Sequence, residues 1–449
     1  MIASDKEQYK STDCSLAIIG GGPAGLSAAV KAWELGIKDI VIIEREHYLG
    51  GILPQCIHSG FGTRVFNEEL TGPEYSQRFI DLVSKTQIRI FKDTFALSVS
   101  NSDSGKISTL TTGKKYGLLN INSGSLILAT GCRERTRGQI LIPGSRPAGV
   151  FTAGFIQRLV NIEGYLPGKK IVILGSGDIG LIMARRLKLE GCDVRGVFEL
   201  MPFSTGLKRN IVQCLDDYDI PLNLSHTVTK IKGERSLSSV EISQVDNNLK
   251  PVKGTERNIK CDTLLLSVGL IPENEIAKTA GVLIDKNTQG PEVDEKFQTN
   301  IDGIFSCGNS LFVNDLVDNV TEDAYIAAEK AFDYLNNKKI RGNISVRILP
   351  GENIAQIIPQ IITSLEDVSI WVRAKKPFKN ADFDIYPDNK KDTCNNNPEN
   401  GFKGKILFSK RLRYVFPGEL IKIKISKENL KNIAETAGGS DIKASINIK

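Results

Sequence analysis

One pattern occurs twice in this chain, and it leaves few folds open. Residues 16–25 read LAIIGGGPAG and residues 169–180 read KKIVILGSGDIG. Each is an apolar run ending in Gly-x-Gly-x-x-Gly. The first has Gly20, Gly22 and Gly25; the second, 155 residues on, has Gly175, Gly177 and Gly180. A helix-like stretch follows each turn (LSAAVKAWELG, LIMARRLKLEG), then a further apolar run. An acid stands 19 residues past the last glycine in both copies, Glu44 and Glu199. Strand, tight turn, helix, strand and terminal acid form a dinucleotide-binding unit. The first glycine permits the turn, the second admits a pyrophosphate close to the backbone, and the third lets helix pack on strand. The helix start offers N–H groups and a positive dipole end to phosphate, and the acid is placed to accept from ribose hydroxyls. A lone glycine triplet would be weak evidence. Two complete units imply two cofactors, one in each.

Each unit also has a later apolar strand closed by a glycine turn, LILATG at 126–131 and LLLSVG at 264–269. Residues 299–309 read TNIDGIFSCGN, and a helix is expected to begin near Asn319, which with Glu322 has the spacing of a capping box. That residue pair is either a cap alone or the start of a helix whose positive end faces an electron-rich ring. From about residue 344 the glycine units stop. Short alternating runs (VSIWVRA, FDIY, GKILF, IKIKI) between turn-rich stretches predict a β domain of about 100 residues, with a sandwich as one arrangement.

Composition narrows the class. The chain has 449 residues, 41% hydrophobic and 24% charged, a globular balance that suggests about two to four domains. A net charge of +6 is mild at this length and does not call for a nucleic-acid partner. No apolar run reaches the roughly 18 residues of a membrane span, and residues 1–13 lack the apolar centre of a signal peptide, so a cytoplasmic location is expected. The eight cysteines (14, 56, 132, 192, 214, 261, 307 and 394) form no Cys-x-x-Cys pair, and His47, His58 and His226 do not cluster, so no metal centre is expected.

Taken together, GGGPAG with Glu44, LILATG, GSGDIG with Glu199, LLLSVGLIPEN and TNIDGIFSCGN resemble the two-dinucleotide-binding-domain flavoproteins of the pyridine nucleotide–disulfide oxidoreductase superfamily. The resemblance spans about residues 16–335. It implies an α/β fold with two Rossmann-like domains, like those of glutathione and thioredoxin reductases, plus the small C-terminal all-β domain. The FAD-binding domain would be discontinuous, 1–147 and 274–340, the NAD(P)-binding domain 148–273, and the added domain 344–449. By motif, Gly20, Gly22, Pro23, Ala24, Gly25, Glu44, Arg45 and Gly51 would serve FAD, with Thr130 and Gly131 beside them. Gly308 and Asn309 would meet the flavin ribitol and pyrophosphate, although the family usually has Gly-Asp there. Val320 would offer its N–H to the flavin pyrimidine. Gly175, Gly177, Asp178, Gly180, Glu199 and Gly269 would hold the nicotinamide cofactor. The acid at 199 favours NADH over NADPH, while Arg195, Lys208 and Arg209 keep NADPH open. The closer likeness, through GGILPQCIHSGFG and GCRERTRGQILIPGSRPAGVFTAG, is to flavoprotein subunits without the reductase dithiol, with hydrogen cyanide synthase and opine oxidase subunits more distant.

The resemblance implies hydride transfer between NAD(H) and FAD, and leaves the other electron partner open. Cys56 has no second cysteine five residues away, Gly51 standing there, so a dithiol relay is not expected. Cys56 with His58 is a candidate catalytic pair, since an imidazolium can lower a thiol pKa; the alternatives are a redox-inert flavin lining or simple packing. The expected function is an FAD-dependent NAD(P)H oxidoreductase serving a partner protein or small acceptor, in a homo- or hetero-oligomer or alone. A stand-alone NADH oxidase or peroxidase using Cys56, and a non-catalytic redox sensor, are the rivals. Residues 344–449 hold 18 basic and 12 acidic side chains, so the whole +6 sits there. That is either a solvated strand face or a docking surface for an acidic partner involving Lys422 and Lys424. The run 133–137 (RERTR) likewise reads as a solvated loop or a docking surface.

Overall fold

A computed structural model describes residues 10–101, 105–338, 340–342, 344–388, 406–437 and 441–448. Cys394 lies outside the described residues. The first sheet places strand Lys10–Ile19 between Ile40–Ile43 and Gly117–Leu128, all parallel, with Leu16 opposite Ile40 and Ser125. Its apolar run 16–19 is buried because a central parallel strand is covered on both faces. Arg89–Phe91 extends one edge, and Ile107–Gly113 and Thr94–Asn101 add antiparallel strands at the other. Ile304–Ser306 returns from much later in the chain to pair with residues 126–128. Helix Val317–Leu335 then packs on helix Pro23–Glu34. Ala28, Ala29 and Ala32 meet Ala324, Ala327, Ala328 and Ala331 in one buried cluster, small side chains that let two helices approach closely.

The second parallel sheet runs Val150–Thr152, Thr263–Leu266, Lys170–Leu174, Asp193–Phe198, Leu222–Asn223. Two crossing segments connect the sheets, Cys132–Glu134 and Leu270–Pro272, which pair antiparallel. Arg133 ties this crossing to Glu273 and Glu275, so part of the 133–137 run is engaged within the chain.

The C-terminal unit is β-rich. A five-stranded sheet (Ile361–Ile362, Val346–Pro350, Ile442–Ile448, Phe378–Pro387, Phe408–Val415) and a three-stranded sheet (Ile354–Ile358, Val368–Ala374, Ile421–Ile425) share one core around Ile348, Ile370, Phe383 and Ile423. Each such side chain contributes about 1.5–3 kcal/mol by leaving water. One element departs from the all-β expectation: Lys427–Ala437 is a helix that buries Leu430 and Ile433 against the sheets. The GKILF run also yields its strand later than its alternation suggested, from Phe408 to Val415. Among the described residues, no helix is long and apolar enough to cross a membrane.

Candidate active site

The two glycine turns are closed in the same way. Gly20 has φ +111°, and a Cβ there would lie 2.2 Å from the Ala129 carbonyl oxygen. A Cβ on Gly25 would lie 1.8 Å from the Gly20 oxygen. Gly175 (φ +95°) and Gly180 are constrained likewise, their Cβ positions falling 2.1 Å from Ser267 O and 2.6 Å from Ser267 Cβ. The middle glycines differ: at Gly22 a Cβ would meet nothing nearer than Gly51 Cα at 3.7 Å. That is an ordinary van der Waals distance, and at Gly177 the nearest atom is Ser267 Oγ at 3.3 Å, so the middle glycines are less crowded than their neighbours, as a pyrophosphate cradle needs.

Glu44 and Glu199 are buried at the strand ends. Glu44 Oε2 accepts from Gly21 N at 2.7 Å and Oε1 from Glu46 N at 2.8 Å. Glu199 Oε2 accepts from Ser176 N at 2.8 Å and Ser176 Oγ at 2.6 Å, and Oε1 from Met201 N at 2.9 Å. Both acids brace their own turn, a role the sequence reading did not assign. A carboxylate has about four acceptor sites, so each retains capacity for a ribose hydroxyl.

The two helix starts are not equivalent. Helix Pro23–Glu34 begins with Gly22 as N-cap, no capping side chain, and no acid in its first turn. The N–H groups of Ala24 and Gly25 are those that helix geometry leaves for an outside acceptor. In helix Asp178–Leu189 the first residue is itself an acid. Asp178 Oδ1 accepts from Leu207 N at 2.8 Å and Asn210 Nδ2 at 2.6 Å, so this side chain secures the following loop rather than standing free for a cofactor.

Around the first turn the chain gathers most of the positions expected to meet FAD. Gly50 N donates to Gly21 O at 2.8 Å, which lays Gly51 (φ +59°) against Gly22. A Cβ on Gly308 would sit 2.8 Å from Ala24 Cβ and 3.2 Å from Val320 Cγ1, so these three share one floor. Thr130 donates through Oγ1 to Glu273 O at 2.6 Å, and Gly131 (φ +72°) beside it is open. Asn309 Nδ2 donates to Cys132 Sγ at 3.6 Å, and its Oδ1 accepts from Asn314 N at 2.9 Å. Gly269 (φ +104°) accepts from Arg135 N at 3.0 Å at the crossing of the sheets. Arg45 is exposed and lies 3.8 Å from Glu46.

Three expectations need correction. The helix expected near Asn319 begins at Val317 with Leu316 as N-cap, and no capping box forms. Asp318 in its first turn is instead an anchor: it accepts from Gly62 N at 3.1 Å, Arg64 N at 3.1 Å and Val65 N at 2.9 Å, while Asn319 Oδ1 accepts from Arg64. With the start moved, helix geometry leaves the N–H groups of Val317 and Asp318 unpaired rather than that of Val320. Second, Cys56 and His58 do not form an activated pair. Cys56 Sγ donates towards Ile52 O at 3.4 Å and Gln157 Oε1 at 3.7 Å, and burial pushes its thiol up to about 12. His58 Nδ1 bonds Ser59 O at 3.0 Å rather than the thiol, and burial lowers its pKa. Third, the face expected at Lys422 and Lys424 is partly engaged within the chain: both residues are exposed, but Lys422 pairs with Glu322 at 3.5 Å and lies 4.7 Å over the Trp371 ring.

Two acid-braced glycine turns, each at the end of a parallel sheet in one chain, define a protein built on two dinucleotide-binding folds. The chain belongs to the pyridine nucleotide-disulphide oxidoreductase family, which matches residues 14–331. It is 24% identical over 287 residues to hydrogen cyanide synthase subunit HcnB of Pseudomonas protegens, covering 59% of this chain and 58% of that one. It is 27% identical to the mitochondrial dihydrolipoyl dehydrogenase of Caenorhabditis elegans, covering 68% and 64%. The chain thus spans less than two thirds of the length of these two curated relatives. Among solved structures, T. acidophilum thioredoxin reductase shares the fold at a TM-score of 0.59 with 22% identity, covering 72% of this chain and 98% of that one. The C-terminal unit lies beyond the matched residues.

Proposed function

We propose that this protein is an FAD-dependent NAD(P)H oxidoreductase that moves electrons between NADH and a partner protein or small acceptor. The observation that carries the reading is the repeated brace: Glu44 on Gly21 and Glu199 on Ser176 hold two glycine turns in the same conformation within one chain. The bare, uncapped start of helix Pro23–Glu34 fits the diphosphate of FAD. Gly22, Gly51, Ala24, Gly308 and Val320 would shape the wall along it, and Thr130, Gly131 and Asn309 its far side. The second turn, with Gly177, Gly180 and Glu199, would take the pyridine nucleotide. Glu199 carries a buried negative charge where a 2′-phosphate would lie, and the nearby Arg195 is engaged by Asp193 at 2.8 Å, which favours NADH.

When bound, FAD supplies the hydride-accepting chemistry; the chain's residues bind, orient and exclude water. The stand-alone NADH oxidase reading through Cys56 has less support: Cys56 Sγ is directed to Ile52 O and Gln157 Oε1, His58 is bonded to Ser59 O, and burial raises the thiol pKa. HcnB is by name a subunit, which favours a protein partner. Anaerobic titration with NADH tests the proposal: the purified chain should carry about one FAD, and NADH should bleach its absorbance near 450 nm with ~1:1 stoichiometry. A chain that retains no flavin, or whose flavin NADH leaves oxidised, would sink it.

A further inference from the structure

Gly418, in the turn before strand Ile421–Ile425, reaches out of the C-terminal unit onto the second module. A Cβ there would lie 2.5 Å from the Thr205 carbonyl oxygen and 3.3 Å from Gly206 C. Gly206 in turn lies on the glycine turn itself: its Cβ would fall 2.7 Å from Ser176 O and 3.1 Å from Asp178 Oδ1. Three backbones are therefore stacked, that of the C-terminal turn, that of the 204–207 loop and that of the second glycine turn. Glycine at 206 and at 418 permits the approach.

The loop is fastened on its inner side. Thr205 N donates to Ser176 Oγ at 3.1 Å, and Leu207 N to Asp178 Oδ1 at 2.8 Å. Ser176 is the residue that Glu199 braces. The C-terminal turn is fastened on its outer side. Arg373 donates through Nη1 to Pro417 O at 2.7 Å, and through Nη2 to Val313 O at 3.0 Å and Asp315 Oδ1 at 2.7 Å. Leu420 N donates to Asp315 Oδ2 at 2.9 Å. Asp315 leads into helix Val317–Leu335, so the C-terminal unit is anchored on the first module and presses on the second.

We propose that Gly418 is a positioning residue for pyridine-nucleotide binding: the C-terminal unit holds the 204–207 loop on the second glycine turn and so sets that module's affinity. The proposal rests on the reading that the second module takes NADH. Its consequence is a split. Displacing the loop changes nucleotide affinity, whereas the flavin cradle on the other module keeps its geometry and hydride transfer from bound nucleotide keeps its rate.

Anaerobic stopped-flow reduction of the full-length flavoprotein separates the two, because the dependence of the rate on NADH gives Kd and the limiting rate independently and needs no acceptor. Gly418→Val should raise Kd for NADH about tenfold with the limiting rate within about twofold. Arg373→Lys keeps the charge beside Asp315 but loses the rigid fork that also reaches Pro417, and should raise Kd in the same direction. Unchanged Kd in the folded variants, or a fallen limiting rate with unchanged Kd, overturns the proposal. Should Gly418→Val lose flavin or its far-UV spectrum, Arg373→Lys decides alone. A wild-type chain whose flavin is not reduced by NADH overturns the underlying reading too, and that failure is seen before any variant is compared.

Discussion

Glu44 accepts the backbone N–H of Gly21 across 2.7 Å, and this bond fixes the turn between the first strand and its helix. Its other oxygen holds Glu46 N at 2.8 Å. The carboxylate is thus a structural brace before it is a ligand for anything. Gln in its place would present an amide NH2 to one of these N–H donors, losing a charge-assisted bond of about 1.5–3 kcal/mol. Glu44→Gln should lower flavin occupancy severalfold and reduce Tm, read from the absorbance ratio of flavin to protein and from a thermal melt. Glu199→Gln should leave flavin occupancy intact and weaken NADH. Equal flavin loss in both variants would contradict the separation of the two turns.

Gly22 and Gly25 lie three residues apart and predict opposite phenotypes. A Cβ at Gly25 would be 1.8 Å from Gly20 O, so Gly25→Ala must displace the helix from its strand. The cost of such overpacking is about 1–3 kcal/mol, seen as a lower Tm of the apoprotein. At Gly22 the nearest atom is 3.7 Å away and the backbone, at φ −80°, suits alanine. Gly22→Ala should keep the apoprotein Tm within about a degree or two while abolishing flavin retention, since the methyl occupies the pyrophosphate's approach. An apoprotein melt and a flavin reconstitution titration measure the two effects separately.

These contrasts follow the line between what the sequence shows and what it hides. The glycine turns were legible because each glycine is demanded by a different contact and their spacing is set by one turn of backbone. The braces of Glu44 and Glu199 were legible as acids at the right place, but not as hydrogen-bond acceptors for the turn, because that depends on which way a carboxylate points. The helix starts at Val317, two residues before Asn319: Asn-x-x-Glu has the look of a cap, but Asp318 is recruited by the 62–65 loop, a partner more than 250 residues away in sequence. Helix Lys427–Ala437 is hidden among alternating runs because its core face is short, Leu430 and Ile433 buried with Ala434 partly buried beside them. The contact of Gly418 with Thr205 left just one trace, glycines at 206 and 418, and nothing in the sequence pairs them.

Cys56 provides a chemical test of the site. Its thiol is pushed up to about 12 by burial, with no cation placed to oppose it. At pH 8 it should alkylate with iodoacetamide on the order of 1,000-fold more slowly than a free thiol of pKa about 8.5, and its rate should keep rising with pH where that of the free thiol has levelled off. Cys56→Ser should then leave the limiting rate of flavin reduction by NADH within about twofold. Rapid alkylation at neutral pH, or a large rate loss in the serine variant, would restore a thiolate role.

Asp294 sits at the seam of the first module and the C-terminal unit, bridging in register to Ile361. Its Oδ1 accepts from Lys296 N at 2.9 Å and Gln298 N at 3.1 Å, while Oδ2 is buried without a partner. Burial first, and the Glu295 carboxylate second, push its pKa up to about 6, against the opposing pull of these N–H bonds and Arg341. In the unfolded chain it titrates near 3.9, so the folded state binds the proton more tightly. The stability that this proton provides is fully present below about pH 4 and is lost as pH rises through 6. Asp294→Asn keeps an oxygen for both N–H donors and removes the titration. The variant should match wild type at pH 4 and exceed it at pH 7.5 by about 1–3 kcal/mol, measured by thermal or urea unfolding at both pH values. A constant offset between the two proteins across that range would show that the carboxyl does not titrate there; a variant less stable at pH 7.5 would show that the ionised form is held by a partner.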